Sequence, residues 1–153
     1  PSAWPEAEVA PAFARLLALL AGLGVRRGVL ASSTAVYGDA DGAVVSADTP
    51  LDERSPRSRR LVAIERAWLG ADFDARVVRL AGLYGPGRLI GLDSVRRGDA
   101  LPGDGDAWLN LLHIEDAARA MLATALAPAP LRAALISDGT PLRRREYYAA
   151  LAT

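Results

Sequence analysis

The 153-residue sequence predicts an α/β fold with a parallel sheet covered by helices. Helical and strand-like segments follow one another along the first half of the chain. The connection between the first two strands contains a whole helix, and a crossover of that length implies parallel strands with a right-handed connection. A content of 51% hydrophobic and 24% charged residues suits a globular core and excludes a disordered chain.

The first half of the chain gives the clearest elements. Apolar residues at helical spacing predict an amphipathic helix over 7–23, and Gly24 is a suitable C-terminal stop. A short buried strand is predicted over 28–31. A second helix is expected from Pro56 to about Leu69, because proline costs little in a first helical turn. The next strand is expected over 76–80. The apolar positions of the first helix are Phe13, Leu16, Leu17, Leu20 and Leu23.

The second half has a looser pattern. The predicted elements are a turn at 84–88, a short helix at 89–97, a turn at 101–106, a strand at 108–112, a helix at 116–126, a strand at 133–137 and a helix at 142–152. Asp116 is the expected N-cap of the helix that it begins. Ala129-Pro130 is expected to separate that helix from the strand after it.

Composition excludes several classes of function. A formal net charge of zero without long single-sign runs gives no electrostatic footprint for nucleic acid or for an anionic membrane. The longest apolar run, 16–25, is about half of a membrane span. The N-terminal residues do not have the pattern of a signal peptide. We therefore expect a cytoplasmic protein without nucleic-acid or membrane partners.

The chain contains neither cysteine nor lysine. Without cysteine, disulfides and thiolate zinc sites are excluded, and no metal site is expected from the remaining residues. All basic side chains are arginine, so a Schiff base, a P-loop lysine and a Tyr-x-x-x-Lys catalytic pair cannot form.

The most informative string is Val29 to Asp39, in which an apolar strand runs into Ser-Ser-Thr and then Val-Tyr-Gly. Ligands of open α/β sheets bind at the carboxyl ends of strands, so these hydroxyl groups are placed for chemistry. A Ser/Thr-rich loop is the alternative. The glycines at 22–28 do not form a phosphate loop, because they end a helix and precede a strand. Arg57, Arg59 and Arg60 fit a solvated helix face, with an anion site as the alternative.

Three strings occur in the order in which a known family has them. They are Ser32 to Asp39, Arg79 to Arg88 (Arg-Leu-Ala-Gly-Leu-Tyr-Gly-Pro-Gly-Arg) and Asn110 to Ala118 (Asn-Leu-Leu-His-Ile-Glu-Asp-Ala-Ala). Together with the closing segment 137–148, they resemble extended and atypical short-chain dehydrogenases/reductases. That group includes the NAD-dependent epimerases and dehydratases of nucleotide sugars.

This resemblance implies a partial Rossmann-like parallel sheet plus elements of a small C-terminal substrate lobe. Residues 1–80 would be the C-terminal half of a dinucleotide-binding domain, and 81–153 would be lobe elements that cross back to the main sheet. The family's glycine-rich first half has no counterpart here, so the chain is similar to the second half of such a protein. NAD or NADP is the implied cofactor. We expect the 153-residue chain alone to have no measurable affinity for either.

The resemblance also assigns site residues. Ser33 would be the catalytic hydroxyl that hydrogen-bonds the substrate. The groups beside the nicotinamide would be Ala31, Ser32, Leu80, Ala81 and Gly82, and the further substrate contacts would be Arg88, Asn110 and His113. Gly82 replaces the family's usual asparagine.

One departure from the family pattern leaves the function open. The catalytic tyrosine and lysine are expected eight and four residues before Glu65, where Arg57 and Leu61 stand. One reading is an NAD(P)-dependent epimerase/dehydratase-like oxidoreductase acting on a nucleotide-sugar-type substrate. The alternative is a catalytically silent dinucleotide-binding, sensing or scaffold protein of the same fold. A small-molecule substrate and a second copy of the chain, in a homodimer, are the expected partners.

Overall fold

The structure is a computed structural model that describes residues 6–99, 103–128 and 131–152. Its helices are α1 (Glu6–Gly22), α2 (Pro56–Leu69), α3 (Leu92–Arg97), α4 (Ile114–Leu126) and α5 (Arg144–Leu151). Its strands are β1 (Arg27–Ser33), β2 (Asp74–Leu80), β3 (Gly82–Tyr84), β4 (Trp108–Leu109), β5 (Leu111–His113), β6 (Ala133–Ile136) and β7 (Leu142–Arg143). The predicted break at Ala129-Pro130 and the first two residues of the predicted 101–106 turn lie outside the described residues.

Three parallel strands form the main sheet, in the order β1-β2-β6. The register between β1 and β2 runs from Arg27 opposite Asp74 to Ser33 opposite Leu80. Two smaller pairs accompany this sheet, β3 with β5 in parallel and β4 with β7 antiparallel. The predicted α/β class with a parallel sheet is confirmed.

Alternate residues of β2 pack on opposite faces of the sheet. Val78 and Leu80 belong to an apolar cluster that includes Ala117 of α4. Arg79 points to the other face, where its side chain meets Glu65 of α2. This alternation follows from the two-residue period of a strand. The main sheet is therefore covered by α4 on one face and by α2 on the other.

Trp68 of α2 contacts both α1 and the main sheet. Its ring lies 6.1 Å from that of Phe13 and 5.1 Å from that of Phe73, and its indole N–H donates to the Arg76 carbonyl at 3.0 Å. A side chain at Gly28 would lie 2.6 Å from the Trp68 ring. Glycine at that position of β1 therefore allows the tryptophan ring to pack directly against the strand.

Charged side chains at the amino ends of β1 and β2 fix the end of α4. The buried Arg76 guanidinium donates to the carbonyls of Thr124 and Ala127 at 2.6 and 2.9 Å, and Arg27 donates to that of Ala125 at 2.8 Å. Cations at a helix C-terminus complement its dipole. Both guanidiniums also form ion pairs with Asp74. Their hydrogen bonds, that of Arg76 more than that of Arg27, lower the pKa of the Asp74 carboxyl to about 2.

Four predicted features are wrong in detail. The strand expected at 108–112 is two strands, because 108–109 pairs with β7 whereas 111–113 pairs with β3. Helix α4 begins at Ile114, and its N-cap is His113, whose Nδ1 accepts from the Glu115 N–H at 3.3 Å. Asp116 instead pairs with Arg119 one turn later, at 2.7 Å.

The last two corrections concern the terminal helices. The closing helix starts at Arg144 and not at Leu142, because residues 142–143 are used by β7. In α1, Leu16 and Leu23 are exposed by 42% and 69% although both were expected on its apolar face. None of the helices in the described ranges is long and apolar enough to cross a membrane. The division at residues 80 and 81 stays a prediction.

Candidate active site

Ser33 ends β1 and begins the turn that follows it. A 3-10 turn spans Thr34–Tyr37, and the Ser33 hydroxyl oxygen caps it by accepting from the Ala35 N–H at 3.2 Å. A serine hydroxyl has one proton and two lone pairs. This cap uses only the oxygen of the half-buried Ser33, and no acceptor within the described ranges takes its proton, which can therefore be donated at the carboxyl edge of the sheet.

The neighbouring Ser32 points to the opposite face of β1. Its hydroxyl donates to Oε1 of Glu65 at 2.5 Å. The Glu65 carboxylate is fully buried and also binds the Arg79 guanidinium at 2.9 Å. The two serines of the motif therefore differ in role, since the Ser32 side chain is engaged with α2 whereas that of Ser33 faces away from it.

Arg79 joins four segments of the chain at this point. Besides Glu65, its guanidinium donates to the Tyr37 hydroxyl and to the Ala47 carbonyl, both at 2.8 Å. Its guanidinium carbon also lies 5.3 Å from the centroid of the Tyr37 ring. Burial by itself would lower the pKa of Arg79, but the hydrogen bonds that its guanidinium donates to Glu65 and Tyr37 outweigh burial and raise the pKa. The guanidinium is therefore permanently charged.

Gly38 closes the turn in a conformation with φ 66° and ψ −147°. A Cβ at this position would overlap the carboxylate oxygen of Asp52 and lie 2.7 Å from its Cγ. Asp52 is itself held in place, because its N–H donates to the Val36 carbonyl at 2.8 Å and its own carbonyl accepts from the buried Ser58 hydroxyl. The two ends of the loop 38–52 therefore lie next to each other, beside the turn that carries Ser33.

The chain changes partner strands at Ala81. Its N–H donates to the Ile136 carbonyl of β6 at 3.0 Å, whereas the N–H of Gly82 donates to the Asn110 carbonyl at 3.0 Å. Ligands of open α/β sheets bind beyond the carboxyl ends of the strands, and this change of partner lies at the carboxyl end of β2. A Cβ at Gly82 would lie 3.1 Å from that Asn110 oxygen, so a larger residue there would crowd the crossing.

The remaining predicted site residues lie around β3 and β5. Tyr84 is opposite His113 in the register, and their rings are 5.3 Å apart in an edge-to-face arrangement. Because His113 Nδ1 accepts from a backbone N–H, its Nε2 carries the proton when the ring is neutral. Arg88 is exposed and donates to the Leu83 carbonyl at 3.3 Å, and the Asn110 side chain is exposed. Their contacts with a substrate stay predictions.

A comparison with models of protein families identifies the family of this chain. The model of the NAD dependent epimerase/dehydratase family matches residues 10–133 of the chain. The chain belongs to this family.

Known proteins agree with this assignment but are longer than the chain. Protein YeeZ of Escherichia coli K12 is 39% identical over 108 residues, which cover 68% of this chain and 37% of that protein. The solved structure of MoeE5 in complex with UDP-glucose and NAD is 30% identical with a TM-score of 0.80, covering 92% of this chain and 52% of that one. The chain thus spans about half or less of the length of these relatives.

A second solved structure has the same fold. It is a double mutant of DesIV, a dTDP-glucose 4,6-dehydratase from Streptomyces venezuelae, with NAD and DAU bound. The identity is 29% and the TM-score 0.72, and the match covers 89% of this chain and 46% of that one. The described sheet and helices are therefore a partial Rossmann-like fold, as the resemblance implied.

The described residues suit only one end of the NAD that the family binds. Exposed Ala31 and half-buried Ser33 lie at the carboxyl end of β1, the edge where α/β sheets bind ligands, which suits the nicotinamide end of a dinucleotide. Within 6–99, 103–128 and 131–152, no strand is followed by a glycine-rich turn that opens a helix, which is the arrangement that binds a pyrophosphate. As predicted, Gly22 ends helix α1 ahead of β1.

The positions where the family's tyrosine and lysine were expected are structurally unlike each other. Arg57 is exposed at the start of α2, whereas Leu61 packs against the apolar cluster of Val36, Tyr37 and Val62. Arg59 donates to the carbonyls of Glu53 and Arg54 at 3.2 Å. These contacts fit the solvated helix face, and the anion site stays a prediction.

The network that Glu65, Arg79 and Tyr37 form with Ser32 is not predicted from the sequence. Two signals could have suggested it. Arg79 is a charged residue at an inward position of an otherwise apolar strand end, and Glu65 lies three residues after the buried Val62 on the inner face of α2. Buried charges of opposite sign on neighbouring elements are expected to pair.

Proposed function

We propose that this chain supplies the carboxyl-edge side of an NAD(P)-dependent epimerase/dehydratase-type oxidoreductase site for a nucleotide-sugar-type substrate. The observation that carries the proposal is the hydrogen bonding of Ser33. Its oxygen accepts from the Ala35 N–H, which leaves the hydroxyl proton to be donated away from the turn. A strand end is a rigid support, so such a donor is well placed to polarise a substrate oxygen.

In this proposal the chain's own groups have distinct tasks. The Ser33 hydroxyl donates to the substrate carbonyl or hydroxyl at the reacting carbon. The backbone of Ala31 and Ser32, with that of residues 80–82, borders the nicotinamide. When bound, NAD(P) supplies the hydride acceptor. The partner change at Ala81 supports this division, because it ends the pairing of β2 with the main sheet just before Gly82.

The polar groups around β3 and β5 suit the rest of a nucleotide sugar. Exposed Arg88 offers a guanidinium that matches a phosphate, Asn110 offers an exposed amide, and His113 offers an Nε2 donor. The similar structure of MoeE5 was solved in complex with UDP-glucose and NAD, which supports this class of substrate.

A second candidate function is favoured by Arg57 and Leu61. Neither an exposed guanidinium nor a partly buried leucine can act as the general acid and base of hydride chemistry at pH 7. The same surfaces would then serve a catalytically silent dinucleotide-binding, sensing or scaffold protein.

Binding and turnover measured on one sample separate the two functions. The longest natural polypeptide that contains this chain should be titrated with NAD and NADP by calorimetry, and then assayed for hydride transfer with UDP-glucose and other nucleotide sugars. Turnover that is lost in Ser33→Ala and kept in Ser94→Ala, a serine on α3, supports the enzyme. Binding without turnover on every substrate supports the silent protein. The homodimer stays a prediction that sedimentation equilibrium tests.

A further inference from the structure

A buried ion pair lies behind the carboxyl end of β1. The Glu65 and Arg79 side chains are exposed by only 1% and 6%, and Arg79 Nε lies 3.3 and 3.2 Å from the two carboxylate oxygens, in addition to the 2.9 Å contact of Nη2. A buried pair is often no more stabilising than apolar residues of the same volume, because both ions lose their hydration. Fold stability alone is therefore a weak explanation of this pair.

The other hydrogen bonds of the pair converge on the segment around Ser33. Glu65 accepts from the hydroxyl of Ser32, the residue immediately before Ser33. Arg79 donates to the hydroxyl of Tyr37, the last residue of the turn that Ser33 caps. Ser33 thus lies between two residues whose side chains are anchored to the same ion pair.

We infer that Glu65 and Arg79 position Ser33, through Ser32 on one side and through Tyr37 on the other, without touching the substrate. The planar guanidinium suits this task because it can hold a carboxylate and donate to Tyr37 in one rigid geometry. Ser32 keeps the strand end from rotating, since its side chain is fixed on the α2 face. Tyr37 fixes the far end of the turn, so the Ala35 N–H stays directed at the Ser33 oxygen. This inference rests on the proposed function, in which Ser33 meets the substrate.

Hydrogen exchange tests the positioning without any ligand. The Ala35 amide reports directly on Ser33, because its acceptor is the Ser33 oxygen. The Val77 amide, which donates to the Arg132 carbonyl at 2.9 Å, serves as the reference inside the same sheet. The exchange rates of both amides should be measured by NMR in the parent chain and in the variants Ser32→Ala and Tyr37→Phe. Each variant removes one hydroxyl and leaves the ion pair in place.

We expect the protection of Ala35 relative to Val77 to fall about fivefold in each variant, the size expected for one weakened hydrogen bond. The matched control is Arg27→Gln, which breaks an ion pair at the other end of β1 and should leave the ratio unchanged. An unchanged ratio in Ser32→Ala and Tyr37→Phe, or an equal fall at Val77, would overturn the inference. If one of these variants does not fold, the other decides the test.

A kinetic comparison then distinguishes this inference from the proposed function. In an active polypeptide, Ser32→Ala and Tyr37→Phe should lower kcat while KM for the dinucleotide changes little, and Arg27→Gln should change neither. If Ser33→Ala retains full turnover, the proposed function fails, whereas the exchange result still decides whether the ion pair orders Ser33.

Discussion

Replacing Gly38 with alanine perturbs the turn that carries Ser33 at its most constrained point. The backbone there has φ 66° and ψ −147°, close to a region that is essentially restricted to glycine and costs other residues about 1–3 kcal/mol. The new methyl group would also overlap the Asp52 carboxylate and lie 2.9 Å from Asp52 Cβ. Asp52 cannot retreat easily, because its backbone is bonded to Val36 and to Ser58.

We therefore expect Gly38→Ala to lower the free energy of unfolding by roughly 2–4 kcal/mol. Gly87→Ala is the matched control, since Gly87 has φ 71° but nothing within 4 Å of its Cβ position. Its cost should be only the backbone component, about 1–2 kcal/mol. Urea unfolding measures the cost of both substitutions as a shift of the unfolding midpoint, provided that the slope m of the free energy against urea concentration stays constant.

A second substitution tests whether the contact with Asp52 causes part of the destabilisation by Gly38→Ala. Asp52→Ala removes the carboxylate but keeps the Cβ that lies 2.9 Å from the position of the new methyl group, so it should relieve Gly38→Ala only in part. Equal destabilisation by Gly38→Ala and Gly87→Ala would show that the contact with Asp52 costs nothing. The same would follow if Asp52→Ala added its full cost to that of Gly38→Ala without any relief.

Four further predictions concern the core, pH and ligand affinity. The pKa of Asp74 is lowered from 3.8 to about 2, mainly by the hydrogen bond from Arg76. The ionised carboxylate therefore contributes its full stability above about pH 4, and this contribution is lost as the pH falls toward 2. Between about pH 5 and pH 2.5, the urea midpoint of Asp74→Asn should therefore fall less than that of the parent chain. Arg79→Met should cost about 3–5 kcal/mol in urea unfolding because it leaves the Glu65 charge buried and unpaired, and adding Glu65→Met should recover most of that loss. Trp68→Phe should cost about 2–3 kcal/mol, because it deletes buried ring atoms and the indole hydrogen bond to the Arg76 carbonyl; a loss below about 0.5 kcal/mol would contradict that packing. Calorimetry on the 153-residue chain alone should detect no NAD or NADP binding, because its described residues contain no glycine-rich turn that opens a helix; submillimolar affinity would contradict this.

The elements that the sequence predicts well are those with local signals. Helix α2 begins at Pro56 and ends before Gly70, as the positions of proline and glycine indicate. Strands β1 and β2 were expected from short apolar runs and prove to be longer by two or three residues. The pairing of these strands follows from the helix between them.

What the sequence does not predict depends on contacts between distant segments. Asp116 is by residue type the better helix cap, but β5 runs straight into α4, so His113 occupies the cap position. Asn110 interrupts a run that looks like one strand, because the residues on either side of it pair with different partners. The link from Arg79 to Tyr37 spans 42 positions and has no periodic pattern that could reveal it.

Hydride transfer by Ser33→Ala tests most directly whether this chain carries the substrate-facing side of the site. The assay follows NADH absorbance in a single turnover with a nucleotide sugar, in the longest natural polypeptide that contains the chain. Removing one well-placed hydrogen-bond donor should slow the step by about a hundredfold while the affinity for the dinucleotide is unchanged. A Ser33→Ala protein that transfers hydride at the parent rate would contradict the account.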